Sequence, residues 1–226
     1  MSQGIVFVDV DHTLLRGASG IHVLGAFFRA RYLTKRHVAA SVLYHLIHRL
    51  GLLNHEDLYA GAMRPFVGKP LADVQQLLAE VYRERIRDDM LEAVVDRLVA
   101  HHRRGDRMAL LSGSSVYLLE MFRHDLPLDR ILGFRQHVVD GNFVFGYDQP
   151  ACYGLHKLVY AADYAAEIGA DPANCTYYAD SITDRHVLEW VGHPVAVNPD
   201  PFLKRLARRR GWEILRTSRT VGGGRA

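Results

Sequence analysis

From about residue 91 to residue 215, short apolar runs alternate with longer stretches that repeat apolar residues at helical spacing. The runs are "RMALLS", "CTYYAD", "PVAVNP" and "WEIL". The stretches between them include "DDMLEAVVDRLVAHHRRG", "HKLVYAADYAAEIG", "DRHVLEWVG" and "PDPFLKRLARRRG". A run with no polar alternation suits a strand buried on both faces. Strands separated by helices must be joined by crossovers, which gives a parallel sheet covered by helices. A further run, Ile5–Val8, opens the chain. The expected fold class is therefore α/β, a doubly wound parallel sheet.

Between the first strand and the rest, the pattern changes. Apolar residues recur at helical spacing at Val23, Leu24, Phe27 and Phe28, then from Val42 to Leu50, then from Val74 to Tyr82, with no strand pattern between them. Gly51, Asn54, Pro65, Gly68 and Pro70 punctuate these stretches. The expected division is an α/β core formed by residues 1–16 and 91–226, interrupted by an all-helical insert at 17–90. Asp140-Gly141 between two β-rich runs predicts a hairpin. The tail "TVGGGRA" is expected to be flexible.

Composition narrows the function classes. The chain has 226 residues, 49% hydrophobic and 23% charged, with a formal net charge of +3. That is ordinary for a globular protein and too weakly basic to argue for nucleic acid. The basic run "KRLARRRGWEILRTSR" is read as the solvated face of a terminal helix. The longest uncharged helical stretch, Val38–His48, is too short to span a bilayer, for which about 20 residues are needed. Ile5–Val8 runs straight into carboxylates, unlike a signal peptide. Cys152 and Cys175 have no metal-ligand spacing, and a reduced, cytoplasmic chain is expected.

In open α/β sheets, ligands bind at the carboxyl ends of the strands. Asp9 and Asp11 follow the first strand. Ser112 and Gly113 follow "RMALL". Asp180 follows "CTYYA", with Asp184 four residues on, and Lys157 opens a helix. Clustered carboxylates repel unless a cation joins them, and hard oxygen donors suit Mg²⁺. A hydroxyl, a backbone N–H and a lysine suit phosphoryl oxygens. Phosphoryl transfer assisted by a metal is the chemistry this combination serves. His12, in the variable position between the aspartates and the threonine, is not expected to catalyse. Nor is Cys152, which has no base at a recognisable spacing.

These residues resemble the haloacid dehalogenase superfamily of phosphohydrolases. "DVDHT" is similar to its DxDxT motif, Ser112 in "LLSGS" to its second motif, Lys157 to its third and "ADSITD" to its fourth. "CYGLHK" and "YADSITDRHVLEWVGHPVAVNPD" resemble the phosphoserine-phosphatase-like branch, which carries a helical cap after the first motif. The resemblance implies a Rossmann-type core with a cap and a Mg²⁺-dependent phosphomonoesterase working through an aspartyl-phosphate. It implies Asp9 as nucleophile and Asp11 as general acid and base. Metal ligation falls to Asp9, Asp11 through its backbone carbonyl, Asp180 and Asp184, the last through a water or by orienting Lys157. Ser112, Gly113 and Lys157 would bind the phosphoryl group. The expected partner is a small phosphorylated substrate, phosphoserine or another amino-alcohol phosphate first. A lysophospholipid phosphate, with membrane contact by the apolar first helices, and a non-catalytic binding module are the alternatives. Arg64, near the proline breaks Pro65 and Pro70 in the insert, is the candidate for substrate selection, since its planar fork suits a carboxylate or a second phosphate oxygen.

Overall fold

The computed structural model describes residues 4–40, 59–61, 63–148 and 150–224. The helical pattern from Val42 to Leu50 lies outside the described residues.

Six strands form one sheet: β1 (Ile5–Val8), β2 (Arg107–Ser115), β3 (Arg130–Phe134), β6 (Thr176–Ala179), β7 (His193–Val197) and β8 (Glu213–Leu215). Their order is β3-β2-β1-β6-β7-β8, and every neighbouring pair is parallel. The strands alternate their side chains between two apolar clusters, one on each face. Val6, Val8, Met108 and Leu110 enter the first. Ile5, Phe7, Ala109 and Leu111 enter the second. Burial on both faces is why these runs carry no polar alternation.

Helices α1 (Ser19–Arg29), α2 (Leu71–Val81), α3 (Glu92–Arg103), α4 (Val116–Leu119), α5 (His156–Ile168), α6 (Arg185–Trp190) and α7 (Pro201–Arg210) lie between the strands. Local chemistry sets several ends. α5 stops at Gly169 and α7 at Gly211, both with φ near +68°, the left-handed turn that glycine enters without penalty. Asp200 caps α7 by accepting the Phe202 and Leu203 N–H groups, each at 2.8 Å. Between β1 and β2 the described residues form helices and turns, and their apolar faces, including Phe27, Val74 and Leu78, join the first cluster. The Asp140-Gly141 turn, with φ of 49° and 76°, closes the hairpin of β4 (Gln136–Val139) and β5 (Asn142–Tyr147).

Two features depart from expectation. The tail is docked. Thr220 is buried and bridges Leu91, and Val221 N–H donates to the Met90 carbonyl at 2.9 Å. Glycine content alone suggested flexibility, but backbone pairing along the segment returning at Met90–Glu92 supplies what side chains do not. The edge strand β3 has no clear sequence signal because Gly133 interrupts a short apolar run. That glycine is a packing requirement. A Cβ there would lie 2.8 Å from the Ser114 carbonyl oxygen and 2.7 Å from Leu119 Cδ1.

Gly133→Ala is therefore expected to lower stability by about 1–3 kcal/mol, the usual cost of overpacking. The check is the denaturant midpoint, which should fall with an unchanged slope. An unmoved midpoint would mean that β3 yields freely.

Candidate active site

Strand order turns around at β1. The chain proceeds outward to β2 and β3 on one side and to β6, β7 and β8 on the other. In such a sheet the ligand crevice is expected at the carboxyl ends of β1 and β6, where the connections diverge. Asp9 leaves β1 into that crevice, its N–H still donating to the Tyr178 carbonyl at 3.0 Å. Asp180 leaves β6 beside it.

Lys157, in the first turn of α5, is 4% exposed. Its Nζ lies 3.0 Å from Asp9 Oδ1, 2.9 Å from Asp184 Oδ2 and 3.3 Å from the Tyr177 hydroxyl. Tyr177 in turn donates to Asp184 Oδ2 at 2.9 Å. Burial works against the ammonium, but Asp184 and Asp9 outweigh it and hold Lys157 well above the ordinary lysine value. Burial pushes the Asp9 carboxyl up to about 7, with Asp184 and Asp180 adding to the rise against the pull of Lys157. Burial and then Asp184 push Asp180 up to about 6. One ammonium thus faces three carboxylates.

Asp11 is turned elsewhere. Its Oδ1 accepts the Ser19 N–H at 2.7 Å, at the start of α1, and its Oδ2 accepts the Ser114 hydroxyl at 3.1 Å. Among the described residues no three carboxylate, imidazole or thiol side chains converge into a metal cage. The donor chemistry fits a hard cation that takes only a few ligands from protein. Asp9 and Asp180 are oxygen donors whose mutual repulsion such a charge would relieve, and Mg²⁺ keeps several waters.

Ser112 is buried, and its Oγ accepts the Ser114 N–H at 3.2 Å. The β2–β3 register shifts between Leu111 and Ser115, which bends the strand end at Ser112-Gly113. The Gly113 carbonyl accepts the Tyr59 hydroxyl at 3.1 Å, and a Cβ on Gly113 would come 2.8 Å from that oxygen. Cys152 lies behind this turn, fully buried, its thiol pushed up to about 12 by burial. Both cysteines are free, and the Cys152 thiol is not an activated nucleophile.

Several supports are given no role by the sequence, although Thr13 is the last residue of "DVDHT". Thr13 Oγ1 donates to Asp180 Oδ1 at 3.2 Å, tying the first loop to the fourth. Asp200 N–H donates to the Asp180 carbonyl at 2.9 Å, and Asp200 Oδ2 accepts the Ile182 N–H at 2.7 Å. This residue closes the stretch ending in "VNPD", and the sequence alone assigns it no role. Tyr177 and Tyr59 gave no signal. Asp184, readable as a helix cap, makes no capping bond with its side chain. Exposed His12 sits at φ 62°. Arg64 is exposed at the start of a 3-10 turn, Arg64–Phe66.

The family model for haloacid dehalogenase-like hydrolases matches residues 6–189. The phosphoserine phosphatase SerB1 of Mycobacterium tuberculosis is 32% identical over 215 residues, which is 92% of this chain and 69% of that protein. A solved protein of unknown function from Bordetella pertussis Tohama I superimposes with a TM-score of 0.87 at 21% identity, over 95% of this chain and 99% of that one. A phosphoserine phosphatase solved as a phospho-aspartyl intermediate analogue gives 0.67 at 17% identity, over 98% and 96%. At such identities the two solved structures speak for the fold alone. The match over residues 6–189 takes in Asp9, Ser112, Lys157 and Asp180, and on that match the chain belongs to the haloacid dehalogenase-like hydrolase family.

Proposed function

We propose that this hydrolase is a Mg²⁺-dependent phosphomonoesterase that works through an aspartyl-phosphate on Asp9. The observation that carries the reading is the buried Lys157 ammonium bridging Asp9 and Asp184 at the β1–β6 crevice. A buried cation so placed orients one carboxylate and still faces a phosphoryl group.

The residues then divide the work. Lys157 holds Asp9 Oδ1, which leaves Oδ2 to attack phosphorus while the ester P–O bond breaks. Ser112, the Gly113 N–H and Lys157 bind the remaining phosphoryl oxygens. Asp11, fixed by Ser19 and Ser114, gives a proton to the leaving alcohol. It then takes one from the water that opens the aspartyl-phosphate, releasing inorganic phosphate and restoring Asp9. Asp9, Asp180 and the Asp11 backbone carbonyl would hold Mg²⁺, with Asp184 acting on Lys157. The ion, when bound, supplies the positive charge that keeps the carboxylates ionised and offsets charge on the phosphoryl oxygens. The name of the mycobacterial relative makes O-phosphoserine the reference substrate.

Asp11→Asn is expected to cost on the order of 10²–10⁴ in rate for an alkyl phosphate, the usual worth of general acid–base catalysis. The loss should be smaller for the ester of an acidic phenol, whose oxygen leaves without a proton. Equal losses for the two would remove Asp11 as the acid of the first step.

Activity should vanish in excess chelator and return with Mg²⁺ but poorly with Ca²⁺. Calcium takes more oxygen ligands at longer range and would engage both oxygens of Asp9. Undiminished turnover in chelator would take the metal out of the reaction.

A further inference from the structure

A cavity of about 250 Å³ lies between the helical segment and the sheet. Its walls are aromatic, with Phe27, Tyr59, Phe66, Tyr117, Phe134 and Phe143 among the lining residues. The rings are already packed against one another. Phe27 meets Phe66 edge-on at 5.1 Å, Tyr117 meets Phe143 at 5.1 Å and Tyr59 stacks on Phe134 at 4.4 Å. Among the described residues no Asp, Glu, Lys or Arg side chain lines it. Arg64 is exposed and outside the lining, although Met63 and Phe66 on either side belong to it.

The cavity borders the site through shared residues. Ser19 and Ser114, which hold the two oxygens of Asp11, both line it, as does Gly113 of the phosphate-binding turn. One end is thus polar. There the Ser19 hydroxyl is buried with no hydrogen-bond partner among the described residues. Gln136, deeper in, donates its amide to the Val144 carbonyl at 3.0 Å and to the Met63 carbonyl at 3.5 Å. Apart from Gln136 and the Tyr59 and Tyr117 hydroxyls, which bond backbone carbonyls, the described walls beyond that polar end are apolar.

We propose that the substrate is the phosphate monoester of an apolar alcohol, whose aromatic or short alkyl group fills this cavity while its ester oxygen meets Asp11. The proposal rests on the phosphomonoesterase reading and names its substrate class. A leaving group beside Asp11 has the cavity directly behind it. The serine of phosphoserine would carry an ammonium and a carboxylate into apolar walls, where unpaired charge is heavily disfavoured. An apolar group loses only water there. The Ser19 hydroxyl gains a partner in the ester or alcohol oxygen. Size limits the group. A cavity of about 150 Å³ holds a benzene ring, so this one takes a ring with a short linker.

The test compares kcat/KM, with Mg²⁺ present, for 2-phenylethyl phosphate, ethyl phosphate and O-phosphoserine. All three leave through an alkyl oxygen, so leaving-group acidity does not decide the order. The 2-phenylethyl ester is expected to exceed each of the others about tenfold or more, the scale on which apolar pockets discriminate. Phosphoserine equal to or better than it would overturn the proposal and leave the phosphomonoesterase reading standing. Hydrolysis of none of the three would bring down that reading itself. Val23→Trp, which intrudes on the cavity from α1, locates the effect. It should pull the 2-phenylethyl to ethyl ratio toward one, and an unchanged ratio in a variant that still turns over ethyl phosphate would place the alcohol elsewhere. Should that variant not fold, the three-substrate comparison alone decides.

Discussion

The Lys157 ammonium, enclosed between Asp9 and Asp184, is the interaction on which the rest of the site depends. Three carboxylates reach one crevice from two strand ends, and in a buried setting they would repel or take up protons. Lys157 arrives from a different element, α5, and compensates part of that charge. Removing one partner of a buried pair typically costs about 3–5 kcal/mol, because the other is left uncompensated. The same contact therefore joins β1, β6 and α5 and also orients the carboxylate proposed to attack. Charge left over after Lys157 is counted gives the physical reason for a divalent cation.

Around that contact the loops are held by modest, separate bonds. Thr13 reaches Asp180 from the first loop, and Asp200 reaches the same loop from the start of α7. Asp11 is held by the first residue of α1 and by Ser114, so the acid of the proposed reaction is positioned by elements that also wall the aromatic cavity. On the proposed reading, chemistry at phosphorus and choice of alcohol meet at one carboxylate. The docked tail, bonded to Met90 and Glu92, braces the point where the helical segment rejoins the sheet region.

Much of this could be read from residues alone, because parallel strands buried on both faces leave a distinct pattern. "IVFV", "TYYA" and the run ending at Val197 are strands, and Asp9, Asp180, Lys157 and Ser112 lie at strand ends or at a helix start, as expected of a doubly wound sheet. What escaped depends on tertiary contact. β3 was hidden by Gly133, a residue disfavoured in strands that close packing requires here. The tail looked loose because glycine reports backbone freedom and not backbone pairing. Tyr177, one of two adjacent tyrosines in β6, faces Lys157, while Tyr178 faces His101 on the other side of the sheet. No local pattern told them apart. Arg64 drew notice by its chemistry and its proline neighbours, whereas the cavity is lined by the apolar residues beside it.

In the proposed reaction Asp9 becomes phosphorylated. The most direct measurement is mass spectrometry of enzyme quenched in acid during turnover at saturating substrate, since acid preserves an acyl phosphate long enough for peptide mapping. A phosphoryl group is expected on the peptide containing Asp9, absent without substrate. Phosphorylation of another residue instead, or enzyme that turns over while remaining unmodified, would contradict it.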